Sequence, residues 1–232
     1  MDLDTKERRV LAGPLTDRSY ERIRLSANGR RLAFLVGPPP KYGPSPDGGS
    51  DYDIYVVDVL TSGGEPKLLY HVAATRFPPE FEPYSSGDWL LVKELREITC
   101  TQEQLDEGYD ICASRSLILI DVTSGLSREV VSQSPSLTVY FWKPDEDTFA
   151  YALEDTLFVA SVDGEVHNLP ITPPIKDVCM YCEVFGWSPD GRYIGLMNYW
   201  NTAGTLDTTT GEVRMMVRED REDIYVEAQW RR

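Results

Sequence analysis

Short apolar runs alternate with polar, glycine-containing turns along most of the chain. Runs at residues 32–36, 54–57 and 117–120 are rich in aromatic and β-branched side chains, which suit a pleated and partly buried surface. Each run is too short for a typical helix and is bounded by turn-forming residues. The pattern therefore predicts an all-β protein built from short strands.

One turn recurs along the chain in front of these strands. Its clearest copy is segment 187–192, Trp-Ser-Pro-Asp-Gly-Arg, which leads into the apolar run 193–197. Segment 25–36 has the same layout, and segments 85–92 and 142–151 are degraded copies. Proline pre-sets φ in such a turn, aspartate bonds to nearby backbone, and glycine tolerates positive φ. The turn is therefore predicted to join two antiparallel strands tightly.

Two further strands complete the repeated unit. Glycine-bearing turns at 61–64, 123–125, 163–164 and 210–211 each separate an apolar run from another short strand. A four-stranded blade usually needs ~40–45 residues, and the first two units are longer. We therefore expect two insertions in them, at residues 37–50 and 97–114. In the second insertion, Thr101 and Gln104 form a capping box that predicts one helical turn.

A single four-stranded sheet cannot bury both of its faces, whereas repeats around a ring can, because each sheet packs on two neighbours. We therefore predict one β-propeller domain of four-stranded antiparallel blades, with four complete blades and a partial fifth. This domain is either a whole propeller or a piece of a larger one. The approximate blades are 20–72, 79–133, 137–171 and 182–218, with partial strands at 7–15 and 224–232. A β-sandwich is the alternative, but it leaves the repeated turn unexplained.

The segment Trp-Ser-Pro-Asp-Gly-Arg at 187–192, with the later Asp-x-x-x-Gly turn, resembles the repeat of TolB-type propellers and is similar to WD-type repeats. The resemblance covers the chain from about residue 20 onwards. The unit also resembles the propeller of prolyl-oligopeptidase-family peptidases. The resemblance implies a propeller scaffold often found outside the bacterial cytoplasm, and such a widely shared scaffold does not determine a function.

The net charge of −15 is the main compositional signal. It repels nucleic-acid phosphates and anionic membrane surfaces and keeps a protein soluble. It leaves room for a cationic partner or for bound Ca²⁺. The sequence has no apolar run of transmembrane length and no signal peptide at its start. We expect an extracytoplasmic protein whose leader has been removed, with a cytoplasmic location as the alternative.

Four cysteines give an even count that permits disulfide pairing. Cys100 and Cys112 bracket the second insertion, and closing that loop could add about 2–3 kcal/mol on the chain-entropy model. Cys179 and Cys182 have the spacing of a metal or redox pair. However, they lack a second pair for zinc, and their flanks are typical of strands. Disulfide candidates are thus all four cysteines, with buried free thiols as the alternative.

Catalytic and metal-binding patterns are incomplete. The two histidines, His71 and His167, lie near the ends of outer strands, and no Gly-x-Ser-x-Gly elbow is present. Asp47, Asp51 and Asp53 cluster in a glycine-rich loop, but no complete calcium loop is formed. We therefore predict no catalytic residues and no required cofactor, with Ca²⁺ left open, and no hydrolase activity from this chain.

Aromatic side chains in or beside loops are the remaining candidates for a binding face, because Tyr and Trp are enriched at interfaces. The candidates are Tyr42, Tyr52, Tyr84, Tyr109, Tyr199 and Trp200. Packing beneath the loops is the alternative. The sequence thus predicts a non-catalytic binding or scaffold module for a protein or peptide partner, which would oligomerise if the propeller is incomplete. An accessory propeller of a hydrolase, or a carbohydrate-active propeller enzyme, is the competing hypothesis.

Overall fold

The computed structural model describes residues 13, 18–38, 49–60, 65–75, 77–106, 108, 112–144, 147–153, 156–169, 182–198 and 203–216. In these parts of the chain the secondary structure is almost entirely β. The predicted partial strands at 7–15 and 224–232 fall outside the described residues, apart from Gly13.

The described strands form four sheets of four strands, each antiparallel and in sequential order. The first sheet holds β1 (Ser19–Leu25), β2 (Arg31–Gly37), β3 (Ser50–Asp58) and β4 (Lys67–Thr75). The second holds β5 (Glu80–Pro83), β6 (Trp89–Ile98), β7 (Cys112–Asp121) and β8 (Ser127–Ser134), with helix α1 (Gln102–Asp106) between β6 and β7. The third holds β9 (Leu137–Trp142), β10 (Thr148–Leu153), β11 (Thr156–Ser161) and β12 (Val166–Asn168). The fourth holds β13 (Cys182–Trp187), β14 (Tyr193–Asn198), β15 (Ala203–Asp207) and β16 (Val213–Met216).

This arrangement confirms a β-propeller of four-stranded antiparallel blades, with the four complete blades that the sequence predicts. In the third blade the last strand, β12, ends at Asn168, and residues 170–171 of the predicted blade lie outside the described residues. The chain divides into two compact units, Met1–Pro135 and Ser136–Arg232, and each contains two blades. A single propeller domain therefore stays a prediction.

Each unit has its own hydrophobic core. In the first unit, Leu35, Ile54, Leu90 and Ile120 are fully buried in one cluster drawn from both sheets. Adjacent sheet faces supply these side chains because alternate residues of a strand point to the same face. In the second unit, a separate cluster contains Ile194 and its neighbours from β10, β11 and β13 to β16.

The recurrent turn has the local structure expected from its residues. In the best copy, Ser188 Oγ accepts a hydrogen bond from the Tyr193 amide at 2.8 Å, and Asp190 accepts one from the Arg192 amide at 3.1 Å. Gly191 has a φ of 67°, which is costly for residues with a Cβ. Short polar side chains therefore satisfy the turn's backbone, and glycine supplies its left-handed residue.

The same turns also join neighbouring blades within a unit. Arg31 donates to the carbonyl of Gly87 at 2.8 Å and pairs with Asp88 at 3.0 Å. In the second unit, Lys143 Nζ lies 5.3 Å from the centre of the Trp187 ring. A basic side chain from one blade thus packs on the turn of the next blade in both units.

Candidate functional site

The two ends of the blades in the first unit differ in chemistry. We call the end at which β2 leads to β3, and β6 leads to β7, the insertion end. Most of the buried polar side chains in the described residues lie between mid-strand and this end of the first unit: Asp53, Thr75, Lys93, Glu94, Ser114 and Ser116. Burying polar groups is costly unless they are hydrogen-bonded. The contacts they make therefore define the candidate site.

The β6–β7 hairpin extends beyond the rest of its sheet at the insertion end. The two strands pair continuously from Trp89↔Asp121 to Ile98↔Cys112. In contrast, β5 pairs with β6 only as far as Lys93, and β8 pairs with β7 only as far as Arg115, so among the described strands only the last part of the hairpin lacks a third strand. A ladder of two strands alone is marginally stable in water. The far part of the hairpin therefore requires additional support.

The disulfide between Cys100 and Cys112 provides part of this support. Their Cα atoms are 5.1 Å apart, within the usual range for a disulfide, and this pair is the one that the sequence predicted. Cys179 falls outside the described residues, and nothing is described of the Cys182 side chain, so their pairing stays a prediction.

The capping box predicted at the start of α1 is also formed. The Thr101 amide donates to Gln104 Oε1 at 2.9 Å, and the Gln104 amide donates to Thr101 Oγ1 at 3.3 Å. The helix is only five residues long. Gln104 Oε1 of this helix lies 3.3 Å from Cys112 Sγ, so the helix contacts the disulfide.

Apolar side chains are exposed on the resulting projection, residues 98–112, which we call the hairpin tip. Ile98 is 38% exposed and Leu105 is 50% exposed. The acidic residues Glu103, Asp106, Glu107 and Asp110 belong to the same segment, which contains no Lys or Arg.

A buried carboxylate holds the base of the hairpin to the first blade. Glu94 has only 1% of its side chain exposed, and it accepts a hydrogen bond from Tyr70 Oη at 2.7 Å and another from Arg96 Nη2 at 2.9 Å. Burial and the neighbouring Glu94 carboxylate raise the pKa of Tyr70 well above its usual range. Thr75 Oγ1 also donates to the Leu95 carbonyl at 2.8 Å. These contacts fix the hairpin's direction relative to the first sheet.

A second polar cluster surrounds Asp53 in β3. His71 Nδ1 lies 2.6 Å from Asp53 Oδ1, and Arg18 forms an ion pair with Oδ2. Arg18 also donates to the Val36 and Asp51 carbonyls at 2.9 and 3.0 Å. Burial would raise the pKa of Asp53, but the bonds from His71 and Arg18 outweigh it and lower that pKa. The carboxylate is therefore ionised and doubly paired.

Close packing around Gly37 brings a third acidic side chain, Glu21, to the insertion end. A Cβ built on Gly37 would lie 2.5 Å from Glu21 Oε1 and 2.6 Å from Tyr52 Cε1. Only glycine at this position allows Glu21 and Tyr52 to approach the strand so closely. Burial raises the pKa of Glu21, and burial with the nearby Glu21 charge raises that of Tyr52.

The aromatic candidates differ from the expectation of exposed rings where they are described. Tyr52 and Tyr84 are each only 6% exposed, because Tyr52 faces the second sheet from β3 and Tyr84 packs beneath the following turn. Both rings therefore lie in the interior of the first unit. Tyr42, Tyr109, Tyr199 and Trp200 lie outside the described residues.

The calcium prediction is not tested. Among the described residues no group of three or more His, Cys, Asp or Glu side chains could hold a metal ion. The Asp53 carboxylate is bound by Arg18 and His71, and Asp47 lies outside the described residues.

In the second unit, His167 lies 3.7 Å from Glu165, with both side chains largely exposed. The described part of the chain contains no helix that is long and apolar enough to cross a membrane.

Sequence reasoning missed the partners of Glu94 and Asp53. Arg18, Tyr70 and Arg96 carry no motif, and the nearest sequence signal was the pair of charged residues, Lys93 and Glu94, inside an otherwise apolar strand. A charged pair in a predicted central strand is a sign of buried polar contacts.

No family model and no curated protein matches this chain. Among solved structures, it is similar to an oligogalacturonate lyase in complex with manganese, with a TM-score of 0.60 and 14% identity over 97% of this chain and 60% of that one. It is also similar to the Swd1 (Cps50) β-propeller domain of Myceliophteria thermophila, with a TM-score of 0.51 and 17% identity over 88% of this chain and 58% of that one. A third similar structure is TolB from Acinetobacter baumannii, with a TM-score of 0.48 and 12% identity over 85% of this chain and 43% of that one.

The chain thus spans about 60% or less of each of these structures. At such low identity the likeness concerns the fold alone. Together with the four sheets, the likeness to the lyase and to Swd1 shows that this chain has the β-propeller fold that its repeated turns predict.

Proposed function

We propose that this protein is a non-catalytic binding or scaffold module, and that the hairpin tip is a contact surface for a protein or an extended peptide. The observation that carries the proposal is the projecting β6–β7 hairpin, which is closed by the Cys100–Cys112 disulfide and exposes Ile98 and Leu105. Single exposed apolar residues are common on soluble proteins. Here they lie on a projection whose conformation is held by covalent and polar contacts.

Rigidity supports this role for a physical reason. Association is opposed by the loss of side-chain and loop freedom, about 0.5–1.5 kcal/mol for each side chain that becomes immobile. The disulfide, the capping box and the Glu94 contacts hold the described part of the hairpin in place before any partner arrives. The cost of ordering it on binding is therefore small.

The test is site-specific photocrosslinking in extracts of the source organism. p-Benzoylphenylalanine is placed at Leu105 and, in a control protein, at Leu126, which is 74% exposed in the turn between β7 and β8. We expect a discrete crosslinked protein from position 105 and none from position 126. The captured partner is then purified, and its affinity is measured for Ile98→Asp/Leu105→Asp and for Leu126→Asp.

A loss of roughly tenfold or more in affinity confined to the tip variant would support the proposal. The same crosslink from both positions, or unchanged affinity of the tip variant, would refute it.

We further propose an extracytoplasmic location. Disulfides persist in oxidising compartments and are rare in the bacterial cytoplasm, and the Cys100–Cys112 pair supports the proposal. Thiol titration of the denatured, unreduced protein isolated from its source should leave Cys100 and Cys112 unlabelled. Quantitative labelling of both would contradict this location.

A carbohydrate-active enzyme is the second candidate, and the Asp53–His71 pair favours it. A carboxylate bonded to Nδ1 orients a histidine as in general-base catalysis, and His71 is half exposed. Turnover of common glycosides and uronides by the purified chain, abolished in His71→Gln, would replace the binding hypothesis. We expect no turnover.

A further inference from the structure

Among the described strands, β1 is an edge strand of the first sheet. In the sheet order β1-β2-β3-β4, β2 is the neighbour with which β1 pairs among the described strands. An edge strand offers unpaired backbone N–H and C=O groups to another strand. Proteins usually protect such edges, so the side chains along β1 indicate what this edge would accept.

One face of β1 is apolar. Ile23 pairs with Phe34, and Leu25 pairs with Leu32, so these side chains lie on the same face of the sheet. Ile23 and Leu25 are 53% and 55% exposed. They continue an aromatic row on the same face, in which Phe34 stacks on Tyr55 with ring centres 5.6 Å apart.

Strand β1 also carries two arginines, Arg22 and Arg24, and Arg24 pairs with Ala33 and so lies on the face opposite to Ile23 and Leu25. Residues 18–31 contain five arginines and one acidic residue, Glu21, in a chain with a net charge of −15. Arg18, Arg30 and Arg31 form ion pairs with aspartates of the first two blades.

The remaining two arginines contact backbone carbonyls. Arg22 donates to the Pro79 carbonyl at 3.4 Å, which is a long and weak bond, and Arg24 donates to its neighbour Ile23 at 3.2 Å. The pKa of Glu82 is raised by burial, and the Arg24 charge partly offsets that rise. The Arg24 charge therefore acts on the Glu82 carboxylate across the two sheets.

We propose that the β1 edge binds an extended segment of another polypeptide, in which acidic and apolar residues alternate, as an added strand. Successive side chains of a strand point to opposite faces. The β1–β2 ladder is irregular between Tyr20 and Ile23 and regular from Ile23 to Leu25. An added strand would therefore place alternate residues beside Ile23 and Leu25 and the residue between them beside Arg24, with Arg22 next to the irregular part. Apolar pairs and opposite-charge pairs across strands are both stabilising, and the backbone bonds of strand addition supply affinity without sequence preference.

This surface is separate from the hairpin tip and does not depend on it. Arg22 and Arg24 also attract an acidic segment that the rest of this acidic protein would repel. Alternation is the specific requirement, because a uniformly acidic peptide would place charges against the apolar face.

The test is fluorescence anisotropy with the full chain and a fluorescein-labelled peptide, Thr-Glu-Val-Glu-Val-Glu-Val-Thr. The matched peptides replace every Glu by Lys, replace every Val by Ser, or carry N-methyl groups on alternate amides. We expect saturable binding of the first peptide and at least roughly tenfold weaker binding of the other three. Arg22→Glu/Arg24→Glu should reduce affinity for the first peptide by a similar factor. The control Arg128→Glu/Arg214→Glu, which changes the net charge equally at β8 and β16, should not.

Three results would overturn the proposal. The first is that the peptide with alternating Glu and Val shows no saturable binding. The second is that the N-methylated peptide binds as tightly as this peptide, and the third is that Arg128→Glu/Arg214→Glu reduces affinity as much as Arg22→Glu/Arg24→Glu does. The second would mean charge attraction without strand addition, and the third a response to net charge alone. The N-methylated peptide tests the wild-type chain, so the result does not depend on how well the variants fold.

Discussion

Removing one hydroxyl group, in Tyr70→Phe, should destabilise the first unit through the buried Glu94 carboxylate. Tyr70 Oη lies 2.7 Å from Glu94 Oε1, and the Glu94 side chain is 1% exposed. Hydrogen bonds to charged groups contribute about 1.5–3 kcal/mol. Arg96 still donates to Glu94 in the variant, and we therefore expect a loss of about 2 kcal/mol in the free energy of unfolding.

Urea denaturation at neutral pH, followed by far-UV circular dichroism, measures this loss. Tyr151→Phe is the matched control, because Tyr151 is also buried in a strand but burial alone raises its pKa. The control should lose less than about 0.5 kcal/mol, since no hydrogen bond to a charged group is removed. A double-mutant cycle of Tyr70→Phe with Glu94→Gln then isolates the coupling between the two side chains.

The pH dependence provides a second reading of the same contact. The pKa of Tyr70 is raised in the folded protein, so its contribution is fully present below the ordinary tyrosine pKa of about 10 and is lost as pH rises towards the folded value. Wild type should therefore lose stability in alkali more steeply than Tyr70→Phe. Equal stability of Tyr70→Phe and Tyr151→Phe at neutral pH, with parallel alkaline profiles, would refute the role assigned to Glu94.

Three further predictions concern other contacts. Asp53→Asn should make stability fall less steeply in acid, because the pKa of Asp53 is lowered in the folded protein. Its contribution to stability is present above the unfolded pKa of about 3.9 and is lost as pH falls through the folded value. Urea midpoints at a series of acidic pH values measure this, and an unchanged acid dependence would contradict it. Gly87→Ala should lower the free energy of unfolding by about 1 kcal/mol more than Gly29→Ala does. Both glycines have positive φ, but only at Gly87 would an added Cβ lie as close as 2.9 Å to a neighbouring side chain. Equal shifts in melting temperature for the two variants would count against the packing of that turn. Cys100→Ser/Cys112→Ser should lower the free energy of unfolding by about 2–3 kcal/mol in non-reducing urea titrations, and a variant as stable as wild type would show that the closed loop does not constrain the unfolded chain.

Much of the candidate site depends on features that the sequence predicts well. The insertion between β6 and β7, its capping box and the Cys100–Cys112 pair are short-range, since each joins residues within one hairpin. The aromatic candidates show the opposite case. Tyr52 is adjacent to a loop in sequence, yet it is buried because a second sheet covers its face of β3.

The sequence by itself determined the all-β class, the four repeated units and the turns that begin them. These depend on alternation along a strand and on the backbone preferences of proline, aspartate and glycine, which act over a few residues. Only the tertiary structure decided which charged groups meet. Tyr70 and Glu94 lie on different blades, and Arg18 reaches Asp53 across the first sheet. The first contact forms where two sheets pack together, and the second where segments distant in sequence meet at one sheet. No local pattern encodes either contact because the partners are far apart in the chain.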